Sequence, residues 1–132
     1  MTLPIMDKRL KILLVDDEPD VASMIKMRLE ASGYEVIIAA DGNTVGNMVK
    51  CVYPDLIISD IMCAGMGGYQ LCQQVKKDPK QRDIPVIILT TQSQKEDKEF
   101  GKRVGADAYL TKPFEVKELL DTIKKLLGNK GI

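Results

Sequence analysis

The residues best placed to do chemistry are three aspartates, a threonine and a lysine, each at the end of an apolar run. Asp60 closes Leu56-Ile57-Ile58-Ser59-Asp60, and Asp16 and Asp17 close the run Leu10 to Val15, which is unbroken after Lys11. Thr90 ends the run that begins at Ile84, and Lys112 follows the short run Ala108 to Thr111. Unbroken apolar runs of this length suit strands covered on both faces. In open parallel sheets, ligands bind beyond the carboxyl ends of the strands. Taken alone, each residue also has a purely structural reading. Asp60 can cap a turn, Asp17 a helix, Thr90 can satisfy a loop amide, and Lys112 can be a solvated charge. Together, at the ends of separate strands, they are much harder to explain as capping.

Electrostatics says what such a cluster needs. Carboxylates about 4 Å apart repel by about 1 kcal/mol in water and several times more in a partly buried cleft. Lys112 supplies one positive charge, too little for three acids, and a divalent cation is the natural completion. The ligands are hard oxygens and the chain has no histidine, which favours Mg2+ over zinc. Mg2+ keeps waters and commonly uses one or two carboxylates plus phosphate oxygens, so the site looks built for a phosphoryl group. No P-loop and no glycine-rich dinucleotide turn is present. The acceptor is then a side chain of the protein itself, and an aspartate carboxylate can form an aspartyl phosphate. Asp60 would attack phosphorus in line, with the cation and Lys112 neutralising the equatorial oxygens.

Bulk properties agree with one cytoplasmic domain. The chain has 132 residues, 45% of them apolar, enough for a core in a single domain. Lysine plus arginine equals aspartate plus glutamate at 19 each, which gives no support for nucleic-acid binding through bulk charge. No apolar run is long enough to cross a bilayer, and Met1 to Arg9 lacks the apolar centre of a secretory signal. Cys51, Cys63 and Cys72 form no Cys-x-x-Cys pair and read as small apolar fillers in a reducing compartment. Cys63 is the one to watch, three residues past Asp60. The lack of histidine excludes Ser-His-Asp and Cys-His catalysis and any phosphohistidine on this chain.

The elements that must position these residues alternate. Leu10 to Val15 is a strand, and the acidic turn with Pro19 starts a helix whose apolar positions are Val21, Met24, Ile25 and Leu29. Gly33 stops that helix. Tyr34 to Ala40 is a second strand whose polar Glu35 suits an edge. A short helix over Val45 to Val52, the strand ending in Asp60, and a helix from Tyr69 to Lys77 follow. A strand from Ile84 to Thr90, a sparsely anchored helix from Gln94 to Val104, and the strand Ala108 to Thr111 come next. An amphipathic helix on Val116, Leu119, Leu120, Ile123 and Leu127 closes the chain. Five strands alternating with five helices imply an α/β fold, a single parallel sheet with helices on both faces.

At this point the sequence resembles the receiver domain of two-component response regulators. The matching pieces are Val15-Asp16-Asp17-Glu18, Asp60 with Met66 and Gly68 after it, Thr90, Gly105-Ala106 before Tyr109, and Lys112-Pro113-Phe114. The resemblance implies the flavodoxin-like strand order 2-1-3-4-5. It also implies one receiver domain over residues 1–132, with 1–8 as an N-terminal extension and 129–132 as a tail or the start of a linker. By this resemblance Asp60 is the phosphoacceptor. Asp17 binds Mg2+ directly, Asp16 directly or through water, and Met62 through its backbone carbonyl. Thr90 and Lys112 hold the phosphoryl group, Tyr109 is the aromatic that turns inward when Thr90 moves, and the Lys112-Pro113 peptide bond is cis. The donor is a phosphohistidine on a sensor histidine kinase or a phosphotransfer protein. The output domain or effector binds the face made of the fourth helix, the fifth strand and the fifth helix, with room for a phosphorylation-dependent homodimer. Neither nucleic acid nor membrane is contacted by this domain. Chemistry is confined to phosphorylation and autodephosphorylation of Asp60, with no turnover of an external substrate.

Two positions depart from the family. Ala64 stands where proline is usual and Gly67 where an acid is common, so the stretch Ala64 to Gly68 is expected to be loose and mobile. Met62 and Gln92 fall where the family tunes water access to the phosphoryl group, and a bulky apolar Met62 is expected to slow hydrolysis. The helix from Gln94 to Val104, weakened by Gly101 and Gly105, is the expected mobile element. The main alternative is a phosphatase-type enzyme with an Asp nucleophile on a similar sheet. It is disfavoured because Asp16 and Asp17 are adjacent, and no Asp-x-Asp follows the first strand. A flavodoxin-type cofactor binder is disfavoured by the acidic first turn, and a receiver that never takes phosphate by the complete acidic set.

Overall fold

A computed structural model describes residues 9–16, 18–39, 48, 51–60, 68–90, 105–111 and 114–128. Within them the order is β1 (Lys11–Val15), α1 (Pro19–Ala31), β2 (Glu35–Ala39), β3 (Leu56–Asp60), α2 (Gly68–Lys77), β4 (Val86–Thr90), β5 (Ala108–Thr111) and α3 (Val116–Leu127). The strands form one sheet in the order β2-β1-β3-β4-β5, and every neighbouring pair is parallel. Met48, Cys51 and Val52 are helical, in agreement with the short helix expected there. The helix expected over Gln94 to Val104, the loop Ala64 to Gly67 and Cys63 lie outside the described residues.

Alternation within the strands sorts the side chains onto two faces. Ile12, Leu14, Leu56, Ile58, Ile87, Leu89 and Leu110 point to one face, where they meet Ala22, Ile25 and Leu29 of α1 and Leu119, Ile123 and Leu127 of α3. Leu13, Val15, Ile57, Val86 and Ile88 point to the other, under Leu71, Cys72 and Val75 of α2. Each fully buried Leu or Ile contributes about 1.5–3 kcal/mol relative to exposure. The central strands are therefore apolar on both faces, as the unbroken runs predict.

Three local expectations are corrected. On α1 the buried stripe is Ala22, Ile25 and Leu29, while Met24 is 52% exposed. Positions 22, 25 and 29 share one helical face, and 24 is turned well away from it. The fourth strand begins at Val86 and not at Ile84, because Pro85 has no N–H to give to a ladder; its carbonyl accepts the Ile57 amide at 2.9 Å. Leu10, Tyr34 and Ile84 lie just outside their strands but still pack against the core. Helix α1 ends as foreseen: Gly33 has φ +100, and the amides of Ser32, Gly33 and Tyr34 return to the carbonyls of Leu29 and Glu30.

The amino ends of the strands are fastened by side chains. Lys11 N–H donates to Asp55 Oδ2 at 2.8 Å, and the Asp55 amide returns the bond to the Lys11 carbonyl at 2.8 Å. Farther along, the Lys76 ammonium reaches Asp107 Oδ2 at 2.8 Å. The same oxygen accepts the Val86 amide at 2.8 Å.

Candidate functional site

Register places the site. Val15 lies opposite Ser59 on β3, so Asp16, the next residue, comes to stand beside Asp60. Asp60 in turn lies opposite Leu89, and Thr90, one step on, lies opposite Thr111. Positions 16 and 60 thus stand level on neighbouring strands, and 90 and 111 lie one step farther out on the next two, all at the carboxyl rim, adjacent strands being about 4.8 Å apart. Tyr109 sits opposite Ile88 and packs against the face covered by α2.

Two of the acids are taken out of bulk water. Asp16 is 2% exposed and Asp60 7%. The Asp16 amide donates to the Ala39 carbonyl at 3.1 Å. Its Oδ1 accepts the Glu18 amide at 2.9 Å, a tight turn that bends the chain into α1. The Ser59 hydroxyl donates to the Asp60 carbonyl at 3.1 Å, a bond buried inside the strand end. Carboxylate oxygens of Asp16, Glu18 and Asp60 all lie within 4.8 Å of one another. Buried charges of one sign are costly unless a counter-charge meets them.

Glu18 is the member that sequence reasoning missed as a site residue, although it belongs to the acidic turn. It occupies the N-cap position of α1 but makes no side-chain cap bond. Its carboxylate is turned to the acid cluster instead. A glutamate at an N-cap, where the shorter Ser, Thr, Asp and Asn are preferred, was the available signal. Asp17, Met62, Lys112 and Pro113 lie outside the described residues, and Thr90 is described by its backbone position alone. An open groove of about 650 Å³ lined by Tyr53, Pro54, Pro79 and Ile84 lies away from this rim and shares none of the acids.

Comparison with known proteins decides the family. The model of the response regulator receiver domain matches residues 12–124. The chain belongs to the response regulator receiver domains. This receiver is 40% identical over 117 residues to the DNA-binding dual master transcriptional regulator RpaA of Synechocystis, covering 89% of this chain and 48% of that protein. It is 39% identical to the probable transcriptional regulator ycf27 of Porphyridium aerugineum, again over 89% of this chain and 48% of the relative. The receiver thus spans about half the length of the curated relatives it matches. Among solved structures, a response regulator of Chloroflexus aurantiacus superposes with a TM-score of 0.88 at 37% identity, covering 92% of this chain and 100% of that one. The chemotaxis protein CheY4 of Vibrio cholerae gives a TM-score of 0.84 at 35% identity, over 89% and 98%.

These relatives give no support to the phosphatase-type alternative. The strand order and the two helical layers are those of the family. Among the described residues no helix is long and apolar enough to cross a membrane. The donor set of this receiver fits a hard divalent cation: three carboxylates, with neither imidazole nor thiolate among them.

Proposed function

We propose that this receiver takes a phosphoryl group onto Asp60 from a phosphohistidine of a sensor histidine kinase or phosphotransfer protein. The convergence of Asp16, Glu18 and Asp60 within 4.8 Å at one rim carries the reading. An oxygen of Asp60 forms the new bond to phosphorus, the phosphorus–nitrogen bond of the donor breaks, and the imidazole leaves with its electron pair. Bound Mg2+ would neutralise charge on the transferred oxygens. Asp16 and Asp17 would hold it together with the Met62 carbonyl, and Glu18 would face the same ion. Thr90 and Lys112 would receive the phosphoryl oxygens, and Tyr109 would turn inward in response. The face containing the segment 94–104, β5 and α3 would then engage an output domain, an effector or a second receiver. The name of the relative RpaA points to DNA-binding output in a longer regulator, and the balanced charge of this chain leaves that contact to another domain. Residues 1–132 would make up one receiver unit. A cytoplasmic location accords with such partners.

The test is mass spectrometry after incubation with MgCl2 and acetyl phosphate. One phosphoryl group should appear on the peptide containing Asp60. It should be absent without Mg2+ and in Asp60→Asn. Equal modification of Asp60→Asn and the parent would overturn the reading.

A further inference from the structure

A second polar junction, far from the acids, is centred on Lys76 in the last turn of α2. A lysine ammonium has three donors, and here each has an acceptor. Lys76 Nζ donates to the Ile84 carbonyl at 2.7 Å, to the Arg82 carbonyl at 3.1 Å and to Asp107 Oδ2 at 2.8 Å. Asp107 also takes the Val86 amide through Oδ2 at 2.8 Å and gives its own amide to the Val86 carbonyl at 2.9 Å. The half-buried stem of the lysine lies against the same turn. Gly105 has φ +93, and a Cβ built on it would stand 3.0 Å from Lys76 Cγ. One side chain therefore joins the end of α2, the start of β4 and the turn that leads into β5.

The elements meeting there have particular neighbours along the chain. Helix α2 is the first described element after Asp60, and it begins at Gly68. Tyr109 lies two residues beyond Asp107, on the face that carries Leu71, Cys72 and Val75 of α2. Helix α2 thus meets the turn before β5 through the charged tie, and Tyr109 packs against the same apolar layer to which α2 contributes. A charge-assisted contact with all donors occupied passes on a displacement that a loose, hydrated contact would absorb.

We propose that Lys76 and Asp107 are positioning residues of the switch, tying the start of β5 to α2 so that a change beginning at Asp60 reaches Tyr109. The inference rests on Asp60 as phosphoacceptor and Tyr109 as the responding aromatic. The experiment uses the full chain, 15N-labelled, as parent, Lys76→Met, Lys76→Arg and Asp107→Asn. Each is saturated with beryllofluoride and Mg2+ as a phosphoryl mimic. The Tyr109 amide shift is read beside the Asp60 shift and the urea midpoint. At full occupancy of Asp60, the Tyr109 response should fall by half or more in Lys76→Met and recover in Lys76→Arg. Asp107→Asn keeps an oxygen for Val86 and loses the charge, so it tests the tie even if Lys76→Met is too unstable to use. A lowered urea midpoint with a parent-sized Tyr109 response would mean a merely structural role and would overturn the proposal. A parent whose Asp60 responds while Tyr109 does not would instead refute the switch reading, and a parent without any response at Asp60 the phosphoacceptor reading. Either would remove the inference with it.

Discussion

Asp16 Oδ1 accepts the backbone amide of Glu18 at 2.9 Å. That bond bends the chain so that the Glu18 carboxylate comes within 4.8 Å of those of Asp16 and Asp60. At such a separation two carboxylates repel by about 1 kcal/mol in water and by several times that at a partly buried site. In the absence of divalent ions, Asp60→Asn should therefore raise the urea-unfolding free energy by about 1 kcal/mol. A destabilised Asp60→Asn would show that the cluster is not under repulsion.

The same cluster should make stability depend on a bound divalent cation. At ten times its dissociation constant, Mg2+ should stabilise the parent by about 1.4 kcal/mol, and EDTA should reverse the gain. Asp16→Asn keeps an oxygen for the Glu18 amide and loses a charged ligand, so the gain should shrink with the turn preserved. Glu18→Gln should also weaken Mg2+ affinity, since its carboxylate belongs to the acid group. Titration followed by thermal melting would measure all three, and unchanged affinity in Glu18→Gln would remove that residue from the site.

Gly105→Ala should be costly. The position has φ +93, and the added methyl would stand 3.0 Å from Lys76 Cγ. Left-handed backbone strain alone costs about 1–2 kcal/mol in an L-residue. Denaturant melts should show at least that loss, and a neutral outcome would mean that the turn before β5 rearranges freely.

Cysteine reactivity should divide sharply. Cys51 is exposed and Cys72 buried. Burial pushes the Cys72 thiol up to about 11 from 9.0, Lys76 lowering it and Asp107 raising it. At neutral pH a thiol reagent should modify Cys51 in the folded protein and reach Cys72 only on unfolding, as read by peptide mapping. The sign of the pH effect follows from linkage. The folded thiol holds its proton more tightly than the unfolded one, so its contribution is complete below pH 9.0 and is lost as pH rises toward about 11. Tyr34, also raised by burial, acts in the same direction above its ordinary value of 10.0. Cys72→Ala should flatten the alkaline fall in stability.

Much of this architecture was legible in the residues. The runs at β1, β3 and β4 are apolar without interruption because helices cover both sides of them, and Glu35 marked β2 as an edge. Asp16 and Asp60 could be paired because all strand ends of a parallel sheet share one rim. Other features were less legible. Met24 and Ala22 are both compatible with a helical stripe, and only packing tells which one turns inward. Pro85 shortened β4 through its missing N–H, a local effect hidden inside a strongly apolar run. Glu18 looked like ordinary helix-start acidity, because nothing in composition shows that its side chain leaves the cap unused. The Lys76–Asp107 tie joins positions remote in the chain, and no spacing rule brings them together.

The placement of β1 between β2 and β3 bears on how the protein is made. As the polypeptide leaves the ribosome, β1, α1 and β2 can associate early, leaving one edge of β1 open. That edge is filled by β3, whose docking is fastened by the bond between Lys11 and Asp55, 44 positions apart. Asp60 is carried in on that third strand, and each later strand adds to the growing side. A nascent chain halted before β3 would thus lack both the strand that fills the open edge of β1 and one of the three acids of the rim.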